Sequence, residues 1–274
     1  MSHSQIFDTD LAKRHPISIL LVDDNAINLK VASRMLLRMG YEVDQATNGV
    51  EALEAQNRRK YDLIFMDIQM PEMDGVTATK HIIERYPELE RPRIVAVTAH
   101  AMKGDRERYL DAGMDGYISK PVRVARLIEA IKETPCKHLV PVTVKAIESF
   151  EEAAQAEAPA QEIPIDFGMF AEMLGMDMED AEEMLPELIE LFVEDSVNQI
   201  TMMDEAIKNQ DYVQLKNAAH KMKGGAASVA AVPLSEVCDK LEKMGIKEDM
   251  GAAQVEFQQA ESEFQRLKSW LENR

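Results

Sequence analysis

Leu63-Ile64-Phe65-Met66-Asp67-Ile68-Gln69-Met70-Pro71-Glu72-Met73-Asp74-Gly75 is an apolar run that ends on an acid, crosses a proline-containing loop and closes on Asp-Gly. A short apolar run bounded by turn signals reads as a strand buried on both faces. Outward from it the same kind of run recurs at residues 17–22, 41–46, 94–97 and 116–119, several of them rich in Val and Ile. Amphipathic stretches alternate with these runs at residues 26–39, 49–56, 76–84, 105–112 and 124–133. The first of them carries Ile27, Val31, Met35 and Leu36 on one face and is followed by Gly40 as a helix stop. Five strand–helix units in alternation predict an α/β domain, a parallel sheet wrapped by helices.

The pattern changes after residue 133. Residues 134–165 hold Pro135, Pro141, Pro159, Pro164 and an Ala/Glu/Gln run, the composition of a linker, with some helix expected around 144–154. A flexible linker of this size spans on the order of 30 Å, enough to let two domains meet. From residue 166 no strand pattern survives. Helices are expected at 167–174, from about 180 to 209 with Pro186 marking a late start or a bend, from Asp211 as cap to about 229, at 234–244 after Pro233, and at 252–272. Short connections and heptad-like spacing predict an antiparallel four-helix bundle. The domain plan is therefore a polar leader (1–15), an α/β domain (16–133), a linker (134–165) and an all-α domain (166–274).

The 274 residues are 46% hydrophobic with a net charge of −18. That surface repels phosphate backbones and anionic lipid, so neither nucleic acid nor membrane is expected as a partner. No apolar run is long enough for a membrane helix, and the leader lacks the basic start and apolar stretch of a secretory signal. Cys136 and Cys238 fit no metal or redox spacing and are expected as unpaired thiols in a reducing cytosol. The 18 methionines, among them Met169, Met173, Met184 and Met202, fall at helical core spacing. Trp270 is expected to pack the last helix.

Functional groups of open parallel sheets gather at the carboxyl ends of the strands. Here those ends carry Asp23-Asp24, Asp67, Thr98 and Lys120-Pro121. Three acids at one sheet edge repel one another unless a cation sits among them, and hard oxygen ligands suit Mg²⁺. Such a pocket is prepared for a phosphoryl group, with Asp67 as nucleophile, Lys120 as a second positive charge and Thr98 as a hydroxyl donor. Each piece alone is an ordinary turn or cap signal; their order along the chain is the specific feature.

Leu21-Val22-Asp23-Asp24-Asn25, Met66-Asp67-Ile68-Gln69-Met70-Pro71, Val97-Thr98-Ala99 and Ser119-Lys120-Pro121 resemble the motifs of the receiver domain of response regulators and hybrid histidine kinases. The resemblance covers residues 16–133 and implies a flavodoxin-like fold with a five-stranded parallel sheet. It implies that Asp67 is phosphorylated, that Asp24 binds Mg²⁺ directly and Asp23 through water, and that the Gln69 carbonyl is a further ligand. It also implies that Thr98 and Lys120 hold the phosphoryl oxygens, that Lys120-Pro121 is cis, and that Tyr117 is the aromatic switch that follows Thr98. Gln69 and His100 stand where this family tunes dephosphorylation.

Six histidines are present, and His3, His15, His81 and His138 have no supporting neighbours and read as solvated. His220 differs. On a helix at 100° per residue, Leu215, Ala218, Met222, Ala226 and Val229 share the apolar side, and His220 points away from it. Its own face carries Lys216, Lys223, Gly224 and Ala227. Gly224-Gly225 inside a helix costs roughly 1 kcal/mol per glycine against alanine, which a closely approaching partner surface would explain. Residues 166–274 resemble the histidine phosphotransfer (HPt) domain, which implies that His220 is phosphorylated with Lys223 and Gly224 in support. The departures are Lys221-Met222 between His220 and Lys223, and Gly225 where a serine is common.

The expected function is a phosphorelay. An upstream histidine kinase phosphorylates Asp67, and the group passes to or from His220 and on to a downstream response regulator receiver, with a receiver–HPt contact within the chain as one route. No kinase catalytic core is recognised, so the chain is expected to move phosphate without ATP-dependent activity. Other readings are the C-terminal part of a hybrid histidine kinase, a binding module switched at Tyr117 by phosphorylated Asp67, and a phosphate sink.

Overall fold

The computed structural model describes residues 9–99, 105–136 and 164–273. His3, His100, His138 and the helix expected at 144–154 lie outside them. The first domain is a five-stranded parallel sheet of β1 (Ile19–Val22), β2 (Asp44–Ala46), β3 (Leu63–Asp67), β4 (Arg93–Thr98) and β5 (Gly116–Ser119), in the order β2-β1-β3-β4-β5. In register, Leu21 lies beside Phe65, Phe65 beside Val95, and Val95 beside Gly116. Alternate side chains feed two cores, as a pleated strand requires. Ile19, Leu21, Leu63, Phe65, Val95 and Val97 face α2 (Ala26–Arg38) and α6 (Val124–Lys132). Leu20, Val22, Ile64, Met66, Ile94 and Ala96 face α3 (Gly49–Arg58), α4 (Gly75–Arg85) and Tyr109 of α5 (Asp105–Asp111). The edge strand is shorter than its apolar run: Asp44 and Gln45 are exposed, and Tyr41 instead packs beneath the sheet with its hydroxyl donated to the His15 carbonyl at 2.7 Å.

Part of the expected polar leader is core. Leu11 and Ala12 of α1 (Leu11–Arg14) are buried, and the Ala12 N–H donates to the Met39 carbonyl at 3.1 Å. His15 is also packed rather than solvated, with Nε2 2.7 Å from the Thr134 carbonyl oxygen. A single apolar pair in a polar stretch shows no periodicity, so nothing in the sequence marks this turn.

The second domain has α7 (Phe167–Leu174), α8 (Met178–Asn209), α9 (Tyr212–Ser228), α10 (Val232–Lys247) and α11 (Ala253–Glu272). The last four close a ring in which each packs on its neighbours. Asp166, Asp177 and Asp211 cap α7, α8 and α9, each accepting an N–H three residues on. Pro186 neither delays nor ends α8, which begins at Met178 and runs through it. The helix continues through it because Leu185, Leu188, Ile189 and Phe192 are buried around that point, and each such side chain contributes about 1.5–3 kcal/mol against the lost bond of one proline. Met173 is buried, and Met169, Met184, Met202 and Trp270 pack on the core, with the Phe167 and Trp270 rings 6.0 Å apart. Both cysteines are free thiols, Cys136 exposed and Cys238 buried. Among the described residues, no helix is long and apolar enough to cross a membrane.

The two domains share a surface: α2 packs on both α8 and α9.

Candidate functional site

The strand order reverses between β1 and β3, the place where an open α/β sheet forms its crevice. Asp23 and Asp24 follow β1 and Asp67 ends β3, and one carboxylate oxygen of each lies within 4.8 Å of the others. Lys120 reaches in from the end of β5, with Nζ 2.7 Å from Asp67 Oδ2 and 2.8 Å from Asp23 Oδ2. Asp23 Oδ1 accepts from the Asn25 N–H at 3.0 Å and from Asn28 Nδ2 at 2.9 Å. Gly75 lies so close behind Asp67 that a Cβ there would stand 2.0 Å from the Asp67 carbonyl oxygen, so the Asp-Gly of the deciding stretch is a packing requirement of the pocket. The Lys120-Pro121 peptide is cis.

Three acids meet one ammonium in this crevice. Burial, reinforced by Asp23 and Asp24, pushes the Asp67 carboxyl up to about 7 against the pull of Lys120. Burial and then the Asp23 charge raise Asp24 as well. Burial works against the charge of Lys120, but Asp23 and Asp67 outweigh it and hold the ammonium above the ordinary lysine range. The pocket is short of positive charge, and its donors are hard oxygens clustered within one cation's reach. The residues therefore fit a divalent ion such as Mg²⁺.

Thr98 is buried at the end of β4, with Oγ1 3.1 Å from the Tyr109 hydroxyl, while Tyr117 on β5 is 40% exposed. Tyr109 is absent from the sequence-derived set. Its position on α5 reads only as an apolar-face residue, and no motif ties it to a strand end eleven residues away.

On α9, Leu215, Ala218, Met222, Ala226 and Val229 are buried as the periodicity requires. The imidazole of His220 is not in open solvent: its side chain is 13% exposed, and Nδ1 lies 2.7 Å from Glu242 Oε1 on α10. Lys223 is likewise not a free surface cation. It is buried, pairs with Glu242, and lies 3.2 Å from Asp239 Oδ1. Burial would raise Glu242, but the bonds from His220 and Lys223 outweigh it and hold the carboxyl at about 2. An ionised carboxylate only accepts, so Nδ1 carries a proton in this bond and Nε2 is the ring nitrogen turned away from it. Glu242 is missing from the sequence reading because it sits on another helix, and helical period does not set the register of one helix against the next.

The face of α9 that bears His220 meets the mouth of the carboxylate crevice. Asn25, beside the Asp23-Asp24 pair, donates Nδ2 to the Lys221 carbonyl at 3.0 Å, and Ser228 Oγ lies 2.7 Å from Asn28 Oδ1. His220 and Lys221 are near enough to lower the Asp24 carboxyl in part. The helical glycines stand at this contact: a Cβ at Gly225 would lie 2.9 Å from the Phe192 ring and 3.2 Å from Asn25 Nδ2, and one at Gly224 would lie 3.5 Å from Asn28 Nδ2.

Comparison with known proteins follows the same division. Residues 19–132 match the response regulator receiver domain, and residues 187–272 match the Hpt domain. The aerobic respiration control sensor protein ArcB of Escherichia coli K12 is 29% identical over 272 residues, which are 97% of this chain and 33% of ArcB. The chain thus spans a third of the length of that relative. The polar-differentiation response regulator DivK of Brucella anthropi is 44% identical over 117 residues, 43% of this chain and 94% of DivK. Among solved structures, the receiver domain of sensor histidine kinase PA1611 from Pseudomonas aeruginosa, with magnesium coordinated in its active site cleft, shares 39% identity over 43% of this chain and 96% of that one, at a TM-score of 0.40.

Proposed function

We propose residue roles for this chain on the premise that it belongs to the family joining a response regulator receiver domain to an Hpt domain and serves phosphorelay signalling. Asp67 takes a phosphoryl group from an upstream histidine kinase and exchanges it with His220, which in turn serves a downstream receiver. Both matched domains are phosphotransfer modules, and neither is a kinase core. The observation that carries the reading is the Asn25–Lys221 bond, which seats the helix of His220 on the rim of the Asp67 crevice.

The chemistry is a displacement at phosphorus. The Nε2 lone pair attacks the phosphoryl group, the P–O bond to Asp67 breaks as the P–N bond forms, and the carboxylate is released beside Lys120. The positive charge gained by the ring meets the Glu242 carboxylate, which holds the Nδ1 proton throughout. Asp23, Asp24, Asp67 and the Gln69 carbonyl would hold Mg²⁺, which supplies positive charge to the phosphoryl oxygens. Thr98 exchanges its Tyr109 partner for a phosphoryl oxygen, and Tyr117 follows. Lys223 and Gly224 support His220, the first by fixing Glu242 and the second by leaving room. We place the chain in the cytoplasm, which two free thiols suit. The 16–133 and 166–274 boundaries stand as part of this proposal, with the first domain extended to Leu11 by its buried turn.

The test follows labelled phosphate from a phosphorylated histidine kinase, with Mg²⁺, into the full chain, Asp67→Asn and His220→Gln. Acid and base stability tells aspartyl phosphate from phosphohistidine. Label on His220 only when Asp67 is intact is the expected result. A loaded Asp67 beside an unlabelled His220 would sink the relay and favour a switched binding module.

A further inference from the structure

Around the polar centre of the interdomain contact lies a rim of charge with one polarity. Lys30 Nζ is 2.6 Å from Glu187 Oε1, and Arg34 Nη2 is 3.1 Å from Glu187 Oε2. One turn further, Arg38 Nη2 is 2.9 Å from Asp180 Oδ2. Beyond the helix, Arg123 Nη1 is 3.2 Å from Glu172 Oε1. Every cation comes from the first domain and every acid from the second. Lys30, Arg34 and Arg38 recur every fourth residue and so form one stripe along α2, while Asp180 and Glu187, seven apart, form one along α8. As α2 advances from Lys30 to Arg38, its partners retreat from Glu187 to Asp180, so the stripes match in one antiparallel register. A slip by one helical turn, about 5.4 Å, would leave pairs unmatched at the ends. The chain as a whole carries −18, so three cations in line on α2 are a local exception.

From this match we propose that the acidic stripe Asp180–Glu187 determines which receiver can present its phosphoaspartate to His220. It admits receivers that carry cations on three successive turns of the helix following their first strand. The chain's own receiver meets that requirement, so transfer between Asp67 and His220 runs within one molecule. The proposal rests on the phosphotransfer reading and adds the partner rule. Exposed ion pairs add little affinity singly, but across an interface they set register and exclude partners of like charge. Alignment matters here because the transfer needs in-line geometry, and a small displacement costs rate. The linker keeps the two faces at high effective concentration, so the charges choose an orientation rather than supply the encounter.

The experiment uses four full-length chains: wild type, Glu187→Lys, the pair Lys30→Glu with Arg34→Glu, and the three changes combined. After loading and removal of the kinase donor, one measures the first-order rate at which label already on Asp67 moves to His220, at several protein concentrations. Wild type should give a rate independent of concentration. Each reversed chain should transfer about tenfold more slowly, and the combined reversal should recover most of the rate because the stripes match again. These side chains lie on the surface, and recovery in the combined chain excludes misfolding as the cause. Equal rates in all four chains would overturn the partner rule, as would slow transfer that the combination fails to restore. A wild-type rate that rises with protein concentration would overturn transfer within one molecule. Loaded Asp67 with no label on His220 in any chain, including wild type, would instead overturn the phosphotransfer reading beneath it.

Discussion

The two proposed nucleophile centres solve opposite charge problems. In the receiver crevice, Asp23, Asp24 and Asp67 face one ammonium, and the buried nucleophile is itself the charge that the pocket resists. In the bundle, one buried carboxylate, Glu242, lies between a histidine and a lysine, and its charge is favoured. The receiver crevice is short of positive charge and fits a cation from outside. The bundle carries its counter-charge within and supplies only a positioned ring. In the proposed relay, catalytic apparatus and passive acceptor would thus be separated by where the balancing charge resides.

The largest effect should come from removing that inner charge. Glu242→Ala leaves the buried Lys223 without its main partner and should destabilise the bundle by about 3–5 kcal/mol. Trp270, the one tryptophan in the chain, lies on α11 and reports bundle unfolding in urea. Glu242→Gln keeps the shape, loses the charge and should slow transfer to His220 on the order of 10²-fold while Asp67 still loads. If Glu242→Ala unfolds at the wild-type urea concentration, the carboxylate is not the anchor of this pocket.

The centres should also answer to pH in opposite senses. Glu242 has a folded value of about 2, below its ordinary 4.5. Its contribution is therefore complete above 4.5 and is lost as pH falls toward 2, an effect on the order of 2–3 kcal/mol. Asp67 is raised from 3.8 to about 7, so without Mg²⁺ the folded receiver favours the proton and loses stability as pH rises through that range. Amide exchange of β1 and β3 reads the receiver, and Trp270 reads the bundle. Mg²⁺ at a hundred times its Kd should add about 2.7 kcal/mol to the receiver alone at neutral pH. Parallel pH responses in the two domains would break the comparison.

How far each centre is legible in the sequence follows from what positions it. Asp67 and Thr98 end parallel strands and Asp23 and Lys120 directly follow two others, so once the alternation of runs implies the sheet, their meeting at one edge follows. Register along β1, β3 and β4 does the rest. His220 is legible as an odd residue on a helix, but its burial and its Glu242 partner depend on how α9 crosses α10, and Tyr109 depends on how α5 lies over β4. Neither crossing is written in a period. The turn at Leu11 and the unbroken α8 at Pro186 escape for a related reason: tertiary burial overrides a local signal.

Glycines sharpen the same contrast on a smaller scale. Gly75→Ala forces a methyl into the Asp67 backbone and should cost the receiver about 1–3 kcal/mol. Gly224→Ala meets only Asn28 Nδ2, at 3.5 Å, an ordinary contact. It should stabilise α9 by up to about 1 kcal/mol through helix propensity, while narrowing the room beside His220 and so slowing transfer within the chain by about two- to threefold. Thermal melts of both variants, read by domain, test this. A Gly224→Ala chain that folds but no longer transfers would mean that α9 approaches the receiver more closely during the reaction than at rest.

The smallest effect concerns the surface between the centres. Its pairs are exposed, with Lys30 at 35% and Glu187 at 49%, whereas Lys120 and Asp67 are at 8% and 2%. Salt reaches the first kind and hardly the second, because the screening length falls from about 10 Å at 0.1 M to about 3 Å at 1 M only where ions can enter. Raising salt from about 0.1 to 1 M should therefore slow movement of label from Asp67 to His220 by about two- to threefold. Glu187→Gln should start slower and respond less, since the charge that salt screens is already gone. If the variant keeps the full salt response, the screened charges lie elsewhere on the path between the two nucleophiles. If neither chain responds, the polar centre at Asn25, Asn28 and Ser228 holds the docked pose without the rim.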